Sequence, residues 1–359
     1  LLSPAEGVNG LTVWSVHDDA STAPPPPQWV QPYDSSRLPS PISAQGMGYR
    51  RAIKPDVLAP GGRVVVQEHL GSTTNAALDV YDGPLAPGQA VAAPGRAPGE
   101  GSAIWYTRGT SNATALVSRG AALLHQVLDE LRGEPGGAII DTVPRSIWLK
   151  ALLTHAADWR TAGAVLDGIL RTAENSRQFK EYVTRLLGYG CIDVGRVREC
   201  TACRATALSG GTLTKDHSHI HRFPLPPSLS GQRGHRRLAV TLAWLTPVNP
   251  RHQGWRRADL WFAPPKNRLR VDRQQADWRA VQRGTLQHEI LDGDEAAVFV
   301  DGDDLEIQVS CRADAGELEE QVPYALVTTL EVAENIGVPI YDEIRVRVRA
   351  RVEVTQSGS

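Results

Sequence analysis

The periodicity of apolar residues changes once along this chain, and that change limits the folds open to it. Between residues 112 and 188 apolar side chains recur at helical spacing, and from about Ala205 onward they alternate with polar ones. Helices early and half-buried strands late predict an α/β unit followed by an antiparallel β unit. Ala113–Leu131 predicts a first helix, stopped by Gly133 and Pro135. Arg145–Trp159, opened by Pro144, predicts a second, Ala162–Thr172 a third and Ser176–Leu187 a fourth.

Strands are expected at Leu238–Leu245, Arg257–Phe262, Thr285–Leu291, Ala297–Val300, Leu305–Val309 and Ala325–Val332. The most regular alternation, Ile344–Val354, predicts a strand whose other face, Arg345 to Arg351, is solvated. This set predicts a jelly-roll-like β-sandwich. Residues 1–108 are rich in Pro and Gly, with short strands expected at Leu11–Val16 and Val64–Val66. The expected division is residues 1–203 and residues 204–359.

With 41% hydrophobic residues the chain is not a disordered one, and no run of about 18 apolar residues exists to span a membrane. A net charge of −2 supplies no global field for nucleic acid or an anionic membrane. Cys191, Cys200, Cys203 and Cys311 are too few and too unevenly spaced for a disulfide framework, which points to a reducing, cytoplasmic setting. The cations are nearly all Arg, with Lys only at 54, 150, 180, 215 and 266, a skew expected of a GC-rich, bacterial genome. The chain opens Leu1-Leu2-Ser3-Pro4 without a signal-peptide pattern, and its one Met is Met47, so residue 1 is read as a cut inside a longer protein.

The segment that carries chemistry is Gly109-Thr110-Ser111-Asn112-Ala113-Thr114-Ala115, directly before the first long helix. A Ser at a helix N-terminus is a good nucleophile, because free N–H groups and the positive dipole end favour the anionic tetrahedral intermediate. Gly109 permits a tight turn, and small neighbours leave room for substrate. A plain helix cap would use the same residue types.

This segment resembles the active-site serine motif G-T-S-x-[SA] of the subtilisin-like serine proteases, the S8 subtilases. Three further stretches match that family in order. Ser3-Pro4-Ala5-Glu6-Gly7-Val8-Asn9-Gly10-Leu11-Thr12-Val13 resembles the approach to a central strand. Ser43–Gly46 followed by Lys54-Pro55-Asp56-Val57-Leu58-Ala59-Pro60-Gly61 resembles S-x-x-G…K-P-D-[IV]-x-A-P-G. Gly188-Tyr189-Gly190-Cys191-Ile192-Asp193 resembles the G-x-G-x-[IV]-[DN] that closes the catalytic domain. The resemblance implies the later part of a parallel-sheet catalytic domain, a polypeptide substrate and no cofactor or metal. It makes Ser111 the nucleophile and its N–H an oxyanion donor. Gly109, Thr110, Asn112 and Ala113 support the motif, and Leu2, Ser3 and Pro4 line the substrate pocket, with Ser3–Pro4 a candidate cis bond.

The chain departs from the family at Ala115, where a Pro is usual. The Asp and His of the triad precede the Ser in subtilisins, and neither D-[ST]-G nor H-G-T-x-V-A-G occurs here. The oxyanion Asn also belongs upstream. Among His17, His69, His125 and His155 none is placed to replace the base, so the chain alone is expected to be inactive. It would need the N-terminal part of the domain as a partner, and the resemblance also raises an AAA-type ATPase. A non-catalytic scaffold built on the same fold is the alternative.

Four smaller patterns have plain structural readings. Cys200-Thr-Ala-Cys203 lacks a second pair for zinc, and reduced thiols are expected. His217, His219 and His221 alternate as on one strand face, where exposed imidazoles are commoner than a metal site. Pro224–Ser230 reads as a stiff structural edge, and the sequon at Asn112 as a coincidence.

Overall fold

A computed structural model describes residues 3–33, 37–69, 77–95, 97–175 and 178–347 of the chain. The first half runs β1 (Val13–Val16), β2 (Val57–Pro60), a hairpin of β3 (Val66–His69) and β4 (Ala77–Val80), and a hairpin of β5 (Gln89–Ala93) and β6 (Ala103–Thr107). Then follow α1 (Thr110–Arg132), α2 (Arg145–His155), β7 (Ala157–Asp158), α3 (Arg160–Leu170), α4 (Phe179–Leu187), β8 (Cys191–Ile192) and α5 (Gly195–Arg198). One mixed sheet, ordered β1–β2–β8–β7, organises them. In it β1, β2 and β8 are parallel and β7 is antiparallel to β8. The strand expected at 64–66 begins only at Val66.

α2 ends four residues before the expected Trp159. The chain leaves the helix there to pair as β7, and the Asp158 carboxylate takes the Arg160 N–H at 2.8 Å, opening α3. Ile147, Trp148, Ala151, Leu152 and Leu153 are all buried, as are Lys150, Thr154 and His155. A helix covered on every side lies between two layers.

The second half is β9 (Arg204–Leu213), β10 (Ser218–Pro224), β11 (Arg236–Trp244), β12 (Val248–Asn249), β13 (Trp255–Arg256), β14 (Ala258–Phe262) and α6 (Lys266–Leu269). After them come β15 (Asp272–Arg273), β16 (Leu286–Gly293), β17 (Asp304–Ala313), β18 (Val322–Val332) and a helix α7 over 340–347. A five-stranded sheet, β15–β16–β11–β18–β9, and a three-stranded sheet, β10–β17–β14, are antiparallel throughout. Leu238, Val240, Leu242 and Trp244 of β11 share an apolar core with Leu260, Phe262, Leu305, Ile307 and Val309 of the smaller sheet. The order read from periodicity, α/β first and β-rich second, is the one observed.

Two expected strands are not seen among the described residues. Residues 297–300 form a loop, although Val298 and Val300 are exposed and Phe299 is buried. The Ser230 hydroxyl holds both the N–H and the carbonyl of Phe299, so a side chain replaces a ladder there. The expected strand at Ile344 begins inside α7, because Ile340 and Ile344 lie one turn apart and both enter the core, while Val346 stays exposed. Residues 348–354 of that stretch lie outside the described residues.

The halves meet over α2. Its apolar side chains share a core with Ala243, Leu286, Ala325 and Val327 of the five-stranded sheet. Polar groups cross as well: His155 Nδ1 lies 2.7 Å from Thr241 Oγ1, and His155 Nε2 lies 2.7 Å from Thr329 Oγ1. Thr241 Oγ1 is in turn 2.6 Å from His288 Nδ1, and Thr329 Oγ1 is 2.7 Å from Thr206 Oγ1.

Candidate active site

The stretches matched in sequence converge on the mixed sheet. Lys54 and Asp56 are both buried, and Lys54 Nζ donates to Asp56 Oδ2 at 2.5 Å and to the Gly10 carbonyl at 2.7 Å. Asp56 Oδ2 also accepts the Thr12 N–H at 2.6 Å. An acid and a base two residues apart therefore fasten the segment entering β1 to the segment entering β2, each satisfying the other's charge. The Gly188–Asp193 stretch docks on the same place: Tyr189 N–H donates to the Asp56 carbonyl and Leu58 N–H to the Gly190 carbonyl. The Ser3–Pro4 bond is cis, as the sequence suggested, and the Gly7 N–H closes a turn onto the Pro4 carbonyl at 2.9 Å. Leu2 lies outside the described residues.

β2 ends at Pro60, and Gly61 is held against both β1 and the serine loop. Its N–H reaches the Val16 carbonyl at 3.3 Å and its carbonyl accepts the Gly109 N–H at 2.9 Å. A Cβ on Gly61 would stand 1.9 Å from Ser15 Oγ and 2.8 Å from the Gly109 carbonyl, so only glycine fits. Gly109 precedes α1 with φ of 153°, a conformation costly for residues with a Cβ. Asn112 supplies the remaining pins. Its Nδ2 donates to the Gly61 carbonyl at 3.2 Å and to Thr107 Oγ1 at 3.0 Å.

These bonds fix Thr110 and Ser111 in the first turn of a 23-residue helix, with Ala113 buried beneath and Ser111 exposed. First-turn amides have no carbonyl partner within the helix, so the Ser111 hydroxyl sits where an anion is stabilised. The place is also the carboxyl edge of the parallel pair β1–β2, where open α/β sheets hold ligands. Arg108, next in line, ties the neighbouring loop by donating to the Gly83 and Leu85 carbonyls.

Among the histidines with a described side chain none is hydrogen-bonded to Ser111. His17 is fully buried at the end of β1, where its Nδ1 accepts the Val64 N–H at 3.1 Å and burial lowers its pKa. His125, on α1, pairs with Asp129 on an exposed face. His155 is a core histidine of the α2 interface, and burial holds it well below the usual imidazole range. His69 lies at the end of β3, remote in sequence from the serine loop.

His219 Nδ1 and His221 Nε2 both bond the Tyr324 hydroxyl, at 2.8 and 2.7 Å, and among the described residues no group of three or more His, Cys, Asp or Glu side chains could hold a metal. All four cysteines are free thiols. Thr246, in the loop after β11, pairs twice with Asn9: Asn9 Nδ2 donates to its carbonyl and its N–H donates to Asn9 Oδ1, both at 2.9 Å. Lys150 and Asn9 escaped the sequence reading. The one available signal was that Lys is rare in this chain.

Comparison with solved structures returned a likeness to the Aeromonas hydrophila periplasmic inhibitor of g-type lysozyme, PliG (13% identity, 37% of this chain and 92% of that one, TM-score 0.19). A second likeness is to the capsid asymmetric unit of cyanophage Pam1 (16% identity, 36% of this chain and 82% of that one, TM-score 0.18). Neither score carries an argument about fold or function. No curated protein matched. The subtilase family model, Peptidase_S8, matches residues 2–190, the span that contains the pinned Ser111 turn and the segments that pin it. The chain belongs to the subtilase family.

Proposed function

We propose that the polypeptide in which this chain works is a serine endopeptidase, with Ser111 as its nucleophile. Residues 1–203 are then the later part of a subtilisin-like parallel-sheet catalytic domain, and residues 204–359 a jelly-roll-like β-sandwich. The observation that carries the reading is the exposed Ser111 in the first turn of α1, held by Gly61, Gly109 and Asn112 at the carboxyl edge of β1 and β2. Ser111 Oγ attacks the scissile carbonyl carbon and loses its proton to a histidine on the preceding part of the domain, itself oriented by an aspartate. The oxyanion is held by the Ser111 N–H and an asparagine from that same part. Collapse expels the amine, which takes the proton from the histidine, and water then hydrolyses the acyl-serine. Ser3 and Pro4, with Leu2, line the substrate groove.

On this reading residues 1–359 alone do not turn over peptide, the N-terminal part of the domain is an obligatory partner, and the setting is cytoplasmic. An AAA-type ATPase that feeds unfolded chains is a partner consistent with such a protease. The test is cleavage of an unfolded polypeptide by the natural polypeptide with its D-[ST]-G and H-G-T segments. Cleavage lost in Ser111→Ala supports the reading, and no cleavage by a folded protein with both segments intact refutes it.

A further inference from the structure

Two of the five lysines are buried side by side in function: Lys54 Nζ donates to the Gly10 carbonyl, and Lys150 Nζ donates to the adjacent Asn9 carbonyl at 3.1 Å. Lys150 projects from α2 and reaches two further acceptors, Thr285 Oγ1 at 2.6 Å and the Trp244 carbonyl at 3.2 Å, both in the β-rich half. Thr285 in turn donates to the Val8 carbonyl at 2.5 Å, and the Asn9 amide pairs with Thr246. The segment from Val8 to Gly10 is thus fastened to α2, to the Lys54–Asp56 pair and to the ends of β11 and β16 at one junction.

We infer that Lys150 is a positioning residue through which the β-rich half sets the placement of the substrate-lining segment that begins at Ser3. The inference rests on the reading of Ser3 and Pro4 given above. An ammonium has three N–H donors, and Lys150 has three acceptors, so only the protonated form completes the junction. Among the described residues no carboxylate touches Lys150, and burial pulls it down to about 7, with the Asp56 charge favouring and the Lys54 charge opposing protonation. Above that pH the amine has one donor fewer than its acceptors. The segment then loosens, and substrate affinity falls while the chemical step is spared.

Hydrogen exchange of the Gly7 and Thr12 amides, corrected for the intrinsic pH dependence of exchange, reads the junction directly. Wild-type protection is expected to drop about tenfold between pH 6 and pH 8.5, the loss of one buried hydrogen bond. Lys150→Met should show the lower protection at both pH values. Thr285→Val, a milder change, leaves two carbonyl acceptors for Lys150 and should also abolish the pH step. In the catalytically complete polypeptide, KM for a peptide should rise with pH through about 7 with kcat little changed, and Lys150→Met should flatten that limb. A pH step that persists in both variants, or protection equal to wild type, overturns the inference. If exchange responds but no cleavage occurs in any form, the junction stands and the protease reading falls. If cleavage is normal and exchange is indifferent to Lys150, the inference falls and the protease reading stands.

Discussion

The two halves of the chain hold themselves together differently. The core of the β-rich half is composed wholly of residues between Ala205 and Ile344, in strands of up to 11 residues that pair along their full length. The core of the first half runs through Ala243, Ala276, Ala280, Val281, Leu286, Ala325 and Val327, all contributed by the other half. Its sheet has strands of only two to four residues, and its central helix α2 buries polar as well as apolar side chains between two layers. A sheet so short buries too little surface to order 200 residues. The half that carries Ser111 is therefore finished by its neighbour, whereas the neighbour is complete in itself.

Separating the halves is the largest perturbation. Residues 204–359 alone should melt cooperatively, and residues 1–203 alone should show no cooperative transition by circular dichroism. Two independent cooperative melts would break the comparison. Within the intact chain, Trp148 is fully buried in the core the halves share, with its Nε1 donating to the Ile140 carbonyl at 3.3 Å. Trp148→Ala should cost about 3–5 kcal/mol in urea unfolding.

Acid comes next. The Ala157 carbonyl can only accept, so His288 Nε2 carries a proton, and His288 Nδ1 must accept from Thr241. Thr241 then accepts from His155 Nδ1, and His155 Nε2 accepts from Thr329. The chain of bonds is satisfied with both imidazoles neutral. Burial, with Arg237 adding to it, lowers His288 to about 4, and Asp158 opposes the shift. His155 is held down by burial, then by His288, Arg196 and Arg237. The folded state thus binds fewer protons than the unfolded one below about 6.5. Stability is full above that value and falls as the pH drops toward 4, by about 3 kcal/mol from His288 alone. Urea midpoints at pH 7.5 and pH 4.5 check the sign; a higher midpoint in acid would contradict it.

Smaller effects separate the serine loop from the core. Gly61→Ala must push Ser15 or Gly109 aside, at about 1–3 kcal/mol, and should weaken reactivity at Ser111 more than overall stability. Ser111→Ala, at an exposed position, should shift the urea midpoint by no more than about 0.5 kcal/mol.

What the sequence disclosed follows the same division. The serine turn, the Lys54–Gly61 block and the Gly188–Asp193 closure were legible as motifs because each packs its signature into a few consecutive residues with glycines where backbones touch; the Lys54–Asp56 pair itself was not read. Helices α1 and α3 were legible from spacing, within two residues at each end of α3 and three at the start of α1. The junction was not: Asn9 meets Thr246 across 237 residues, and Lys150 meets Thr285 across 135. No local pattern encodes such a pairing. Over residues 344–347 the alternation misled, because a helix can bury Ile340 and Ile344 and still leave Val346 in solvent.

The most direct test is a fluorophosphonate probe applied to the natural polypeptide, with the adduct mapped by mass spectrometry. The expected result is one adduct, on Ser111, absent in Ser111→Ala and absent when residues 1–359 are treated alone. A folded polypeptide with intact D-[ST]-G and H-G-T segments that leaves Ser111 unlabelled would contradict the assignment of the nucleophile.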